Sequence, residues 1–140
     1  MTPKDRAYWR IIDANFNRAK EALRVCEDFS RFFLDDASLT REFKRCRHGI
    51  TEILFQFPVP YARLVASRNS PHDVGRRDWI RDGRGRPDWR DVMTANSKRG
   101  EEALRVLEEL AKVLAPRHAP RFSRLRFHLY ELEKRSLQKF

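Results

Sequence analysis

Residues 14–29 read Ala-Asn-Phe-Asn-Arg-Ala-Lys-Glu-Ala-Leu-Arg-Val-Cys-Glu-Asp-Phe, and residues 95–110 read Ala-Asn-Ser-Lys-Arg-Gly-Glu-Glu-Ala-Leu-Arg-Val-Leu-Glu-Glu-Leu. Nine of the sixteen positions are identical without a gap. Packing alone would preserve the apolar positions and let the polar ones drift. A repeat that also keeps an Asn and an Arg therefore carries more than a hydrophobic pattern.

Both copies sit in longer helical periods. Upstream, Thr2-Pro3 is a helix start, a capping hydroxyl followed by Pro at the first helical position. Apolar residues at Ile11, Ile12, Ala22, Val25, Phe29, Phe32 and Phe33 then predict one helix from about 3 to 34, ending near Asp35-Asp36. Ser38 can cap a second helix with the stripe Phe43, Cys46, Ile50, Ile53 and Phe57, stopped by Pro58 and Pro60. A short helix is expected at 61–67. The stretch 68–88, with three of the five glycines and interleaved Arg and Asp, reads as a long, mostly irregular loop. Asp88, with Asp91 three residues on, caps a helix that runs to about 114. Pro116 and Pro120 bracket a turn, and the last helix carries Phe122, Leu125, Leu129 and Leu132.

The repeat extends further. Phe43, Arg45, Arg47 and Glu52 recur as Phe122, Arg124, Arg126 and Glu131. The whole unit is a helical hairpin used twice, about 3–57 and 89–140, with an unduplicated linker and loop at 58–88. The expected fold is a single all-α domain over 1–140, in which two repeated αα-hairpins pack about a pseudo-twofold axis. The short helix and the loop break that symmetry.

Composition narrows the function. The chain has 140 residues, 36% charged and 41% apolar, which suits one soluble helical domain. No apolar run reaches the ~20 residues of a membrane span. The N-terminal ten residues are polar, unlike a secretory signal, so a cytoplasmic setting is expected. Cys26 aligns with Leu107 and Cys46 with Leu125, so both are expected as small core residues. A net charge of +10, mostly from Arg, points to anionic partners. The phosphate-binding loops GxxxxGK[ST] and GxGxxG are absent, as are HExxH and GxSxG.

On a helical wheel Asn15 and Arg18 project from the side that carries Ile11, Ala22, Val25 and Phe29. Asn96 and Arg99 project likewise with Ala103, Val106 and Leu110. A guanidinium on an apolar face must meet either a ligand anion or an internal carboxylate. Small residues at Ala14, Ala19, Ala22 and Gly100 leave room beside them for a helix or a ligand. Glu21, Arg24 and Glu27, repeated as Glu102, Arg105 and Glu108, read as surface ion-pair ladders. In the compact segment Ser67–Gly75, Arg68 can hold a phosphate, His72 can contact one, and Asp73 can bind Mg2+. A solvated turn is the alternative for that segment.

Together, residues 10–28, the run Lys44-Arg45-Cys46-Arg47-His48, Arg68 with Asp73-Val74-Gly75, residues 95–109 and the run from Leu125 to Lys134 resemble one family. It is the small monofunctional hydroxymethylpyrimidine phosphate kinase of thiamine biosynthesis, a domain found alone or fused before thiamine-phosphate synthase. The resemblance covers nearly the whole chain in order. It implies transfer of the ATP γ-phosphate to hydroxymethylpyrimidine monophosphate, with ATP as co-substrate and Mg2+ as cofactor. On that reading Arg18, Arg99 and Arg68 are the catalytic phosphate holders. Asn15, Asn96, Arg47, Arg126 and His72 are substrate contacts, and Asp73 with Asp13 the metal ligands. Asn69 departs from the family's commoner Asp and leaves Asp73 as the better ligand. Thiamine-phosphate synthase and a second copy of the chain are the macromolecular partners to test. Two rival classes stay open: a non-catalytic helical module associated with that synthase, and a small basic nucleic-acid binder.

Overall fold

The computed structural model describes residues 2–77 and 85–140. Five α-helices make up the described fold: α1 (Pro3–Asp28), α2 (Ala37–Gln56), α3 (Tyr61–Ala66), α4 (Trp89–Leu114) and α5 (Ala119–Leu137). No strand occurs among the described residues, so the all-α expectation holds.

The caps explain where the helices begin. Thr2 accepts from the Asp5 N–H, and the Asp5 carboxylate accepts from the Thr2 N–H, a reciprocal capping box before Pro3. Asp88 starts α4 by accepting from the Asp91 N–H at 2.7 Å. For α2 the cap is Asp36, which accepts from the Leu39 N–H at 2.8 Å. The expectation of Ser38 is thus corrected by two residues. Asp36 has the extended backbone a cap requires, whereas Ser38 already lies inside the helix.

α1 runs directly into a π-helical turn, Phe29–Phe33, before the chain reverses at Asp35 with φ of 50°. The Ser30 hydroxyl donates to the Cys26 carbonyl at 2.8 Å, a side chain competing within the helical ladder where the turn widens. Sequence periodicity cannot register that extra residue per turn, and this is one reason the apolar stripe needs correction. The buried apolar positions of α1 are Ile12, Phe16, Ala19, Ala22, Leu23 and Cys26, whereas Ile11 is 41% and Phe32 71% exposed. The helix has two partly apolar faces, and only one of them is core. On α2 the expected stripe of Phe43, Cys46, Ile50, Ile53 and Phe57 is buried throughout.

In the loop expected at 68–88, Ser70–His72 forms a 3-10 turn and the backbone is helical at Arg76 and Arg77. The described part is therefore less irregular than expected. The remainder of that expectation, 78–84, lies outside the described residues.

α1 and α4 cross closely and antiparallel. Cys26 near the end of α1 has its Sγ 3.7 Å from the Ser97 Oγ near the start of α4, and the Phe29 and Trp89 rings are 6.1 Å apart. At the crossing Gly100 omits a side chain. A Cβ there would lie 3.0 Å from the Leu129 Cδ2 and 3.6 Å from the Leu23 Cδ2. α2 and α5 flank this pair, and the core they enclose centres on Phe16, Phe57 and Phe122, whose ring centroids are 6.0–6.4 Å apart.

The sequence repeat reappears as paired contacts. The Asn15 amide donates to the Ile11 carbonyl and the Asn96 amide to the Val92 carbonyl, both at 2.9 Å. Arg47 reaches Glu27, and Arg126 reaches Glu108, both at 2.8 Å. Glu27 and Glu108 are consequently buried and cross-linked to the return helices. The ladder expectation is corrected for them, because a wheel drawn for one helix omits the arginine arriving from its neighbour. Arg24 and Arg105 keep the exposed pairs, to Asp28 at 3.6 Å and Glu109 at 3.0 Å.

One charged cluster, two buried glutamates under the exposed Lys98, has no duplicate. Lys98 contacts Glu101 at 3.2 Å and Glu133 at 3.1 Å, and the Glu101 Oε1 has no hydrogen-bond partner. Burial first, then the hydrogen bond and negative charge of Glu133, lift the Glu101 carboxyl from 4.5 to about 8, against the opposing pull of Lys98. A raised carboxyl pKa means the folded state binds the proton more tightly. Its stabilisation is present in acid and is lost as pH rises from 4.5 through about 8. Melting temperatures of the wild type should fall across that window. Those of Glu101→Gln should fall less, and identical pH profiles for the two would exclude the raised Glu101 carboxyl as their cause.

Candidate functional site

A cleft of about 590 Å³ opens between α1 and α4. It is lined by Asn15, Arg18, Glu21, Ala22 and Val25 from α1, and by Asn96, Arg99, Glu102, Ala103 and Val106 from α4. These residues lie beside the core face of each long helix, with Ala22 and Ala103 buried at the cleft floor. Because the helices run antiparallel, the Asn15–Arg18 end of α1 lies toward the C-terminal half of α4, and the reverse. Each end of the cleft therefore receives one Asn and one Arg, with Glu21 and Glu102 between. The volume falls in the range of small-molecule pockets, ~300–1,000 Å³.

Neither Arg18 nor Arg99 takes part in a salt bridge among the described residues, and both are exposed. Of the two possibilities for these guanidiniums, the internal carboxylate is not the one adopted. Asn15, by contrast, is nearly buried and held at its amide nitrogen by Ile11, which fixes its orientation.

A second cavity of about 310 Å³ adjoins along α1. Arg10, Asp13, Ala14 and Asn17 line one side, and Arg68, Asn69, Ser70 and Asp73 the other. The Arg68 Nε and Nη2 donate to the two Asp13 oxygens at 2.7 and 2.8 Å, a bidentate pair that fastens the segment after α3 to α1. Hydrogen bonding to Asp13, followed by its charge and by Tyr61, raises the Arg68 pKa, so the guanidinium is a permanent cation. Asp73 turns one oxygen to the Gly75 N–H at 2.8 Å.

The structure thus gathers Asn15, Arg18, Asn96 and Arg99 in one cleft, and Asp13, Arg68 and Asp73 in the next. It does not bring Arg47 or Arg126 there, since each is held by its buried Glu. His72 lies exposed in the 3-10 turn. Among the described residues no three His, Cys, Asp or Glu side chains group as a metal cage. No described helix is long and apolar enough to cross a membrane. Sequence reasoning missed Glu21 and Glu102 as cleft residues, and Arg10, Asn17 and Ser70 in the second cavity. The signal for Glu21 was available: it lies one turn from Arg18, within reach of the same face.

The cleft thus combines two arginines, two glutamates and two amides over an apolar floor of Ala22, Val25, Ala103 and Val106. The ThiD2 family matches residues 10–135, and the chain belongs to that family. It is 40% identical over 124 residues to a thiamine-phosphate synthase of Synechocystis sp., covering 89% of this chain and 34% of that protein. The thiamine-phosphate synthase of Nostoc punctiforme is 39% identical over 125 residues, covering 89% and 34%. That of Rhodopirellula baltica is 35% identical over 127 residues, covering 91% and 33%. The chain spans about a third of the length of these relatives, and it is associated with thiamine biosynthesis. No solved structure matches it.

Proposed function

We propose that the protein transfers the γ-phosphate of ATP to hydroxymethylpyrimidine monophosphate, giving the diphosphate. The observation that carries this reading is the single cleft that the duplicated Asn and Arg of both long helices line, one pair toward each end. Phosphoryl transfer is catalysed mainly by positioning and by electrostatic stabilisation of charge on the transferring group. Arg18 and Arg99 supply cations with no salt-bridge partner among the described residues, and Asn15 and Asn96 supply amides held by Ile11 and Val92. The family's association with thiamine biosynthesis supports the pyrimidine acceptor.

The acceptor is itself a phosphate whose second ionisation lies near pH 6. Its oxygen attacks the γ-phosphorus as an anion, and the bond to the β-phosphate oxygen breaks with its electron pair leaving on ADP. No side chain has to remove a proton. The donor set fits Mg2+ in a limited way: Asp73 has one oxygen to offer, while both Asp13 oxygens are engaged by Arg68. Mg2+ commonly takes one or two carboxylates and draws its other ligands from phosphates and water. When bound, it neutralises charge on the β- and γ-phosphates.

The test is a coupled ADP-release assay with ATP, Mg2+ and the pyrimidine monophosphate. The unphosphorylated hydroxymethylpyrimidine should react slower by on the order of 10²-fold or more, because an alcohol has to lose its proton on attack whereas the phosphate is already an anion. Comparable rates for the two acceptors would overturn the acceptor assignment. Absence of turnover, with salt-dependent retention on DNA or RNA, would favour a nucleic-acid binder instead.

A further inference from the structure

We propose that the two substrates occupy separate cavities, the nucleotide in the α1–α4 cleft and the pyrimidine phosphate in the smaller cavity beneath Arg68. This rests on the kinase reading above and specifies its geometry. The argument begins with the repeat. The cleft is built from duplicated residues, so its two ends are chemically alike. A reaction between two unlike substrates needs a place where the molecule departs from its own repeat.

The second cavity is that place. Its lining residues Arg10, Asp13 and Asn17 correspond in the second copy to Asp91, Thr94 and Lys98. Lys98 is committed there to Glu101 and Glu133, and the segment carrying Arg68, Asn69, Ser70 and Asp73 has no counterpart at all. The cavity is therefore particular to one end of the molecule.

Size and chemistry divide the ligands in the same direction. The cleft, at about 590 Å³, has Ala22, Val25, Ala103 and Val106 as apolar floor for a purine. Glu21 and Glu102 can accept from ribose hydroxyls or an exocyclic amine, and the arginines can hold a phosphate chain. The other cavity, at about 310 Å³, suits a compact phosphate ester. Arg10 and Arg68 oppose Asp13 and Asp73, and Asn17, Asn69 and Ser70 offer neutral hydrogen bonds suited to the ring nitrogens and amino group of an aminopyrimidine. Asp13 acts as a positioning residue, locking Arg68 in one orientation.

The two cavities draw on the same stretch of α1. Arg10, Asp13, Ala14 and Asn17 face the small cavity, while Asn15, Arg18 and Glu21 face the cleft, on overlapping turns of one helix. Ala14 and Arg18 are i,i+4 neighbours, roughly 5–6 Å apart at Cβ. Arg18 lines the cleft one helical turn from Ala14, which lines the small cavity. On this proposal Arg18 is the residue placed to reach from a γ-phosphate in the cleft toward an acceptor phosphate beyond it.

The experiment is calorimetric titration of the whole chain with ADP and, separately, with hydroxymethylpyrimidine monophosphate. It uses wild type, Arg99→Ala and Arg10→Ala, each with its helical spectrum and melting temperature recorded. Arg99→Ala should weaken ADP by roughly tenfold, the loss of one charge-assisted contact, and leave the pyrimidine phosphate near its wild-type affinity. Arg10→Ala should do the reverse. Each ligand should bind in the presence of the other. Mutual competition, or the opposite pattern of losses, overturns the two-cavity assignment while leaving a kinase. If neither ligand binds and no ADP is released, the kinase reading itself falls, and this inference with it.

Discussion

Arg18→Ala and Arg99→Ala should each lower kcat/KM for diphosphate formation by on the order of 10²–10³-fold, the usual consequence of removing one preorganised donor from developing charge. Both side chains are exposed and lack salt-bridge partners among the described residues, so the fold loses little with either. The far-ultraviolet spectrum and melting temperature should stay close to wild type. The two variants should also differ. If Arg18 faces both cavities, its loss should fall mainly on kcat, whereas the loss of Arg99 should raise the KM for ATP. Arg18→Lys should restore only part of the rate, because an ammonium keeps the charge and loses the planar fork. Full activity in both alanine variants would remove the cleft as the site.

Arg126→Ala should act on the other side of the ledger between stability and turnover. The Arg126–Glu108 pair is buried at both ends, with Nη2 to Oε2 at 2.8 Å and a further bond from Nη1 to the Tyr130 hydroxyl at 3.0 Å. Removing one partner strands the Glu108 carboxylate in the interior, which typically costs ~3–5 kcal/mol. For a chain of this size that corresponds to a fall in melting temperature of roughly 10 °C or more. Replacing both residues together, Arg126→Met with Glu108→Leu, should recover most of the loss, since a buried pair is often no more stable than apolar side chains of similar volume. Below its melting transition Arg126→Ala should still turn over. A collapse of kcat in a fully folded sample would instead return Arg126 to the role of phosphate contact.

These two experiments fall on the line that divides what was legible in the sequence from what was not. The duplicated segment, the prolines and the caps at Thr2 and Asp88 place four long helical stretches within a few residues, because each signal is local. The cleft was legible too: Asn15, Arg18 and their copies stand on one wheel face, and the repeat marks that face as meaningful. What escaped depends on neighbours. Arg47 and Arg126 look like the free cations of an anion site until the return helix is folded back and each meets a buried Glu. Asp13 looks like a metal ligand until Arg68, 55 residues later, closes on both its oxygens. The partnering of charges across helices is a tertiary fact, and no single-helix pattern contains it. The π turn at Phe29–Phe33 is a different kind of omission, an extra residue that shifts the phase of the last turn of that helix, where Phe32 and Phe33 come out exposed.

The two cysteines, both uncharged and enclosed, have a practical meaning for anyone measuring this protein. Burial pushes Cys26 up to about 12, helped by the nearby Glu133 and Glu101, and burial with the charge of Glu42 does the same for Cys46. Only a thiolate is an effective nucleophile, so neither sulfur reacts while the helices stay closed. Alkylating reagents then report on opening events alone. Cys26 lies at the α1–α4 crossing, against Ser97, and Cys46 sits on α2. Their labelling rates, followed by mass spectrometry, time the separation of the cleft-forming helices independently of the exposure of α2. A ligand that grips both long helices should slow the first clock more than the second.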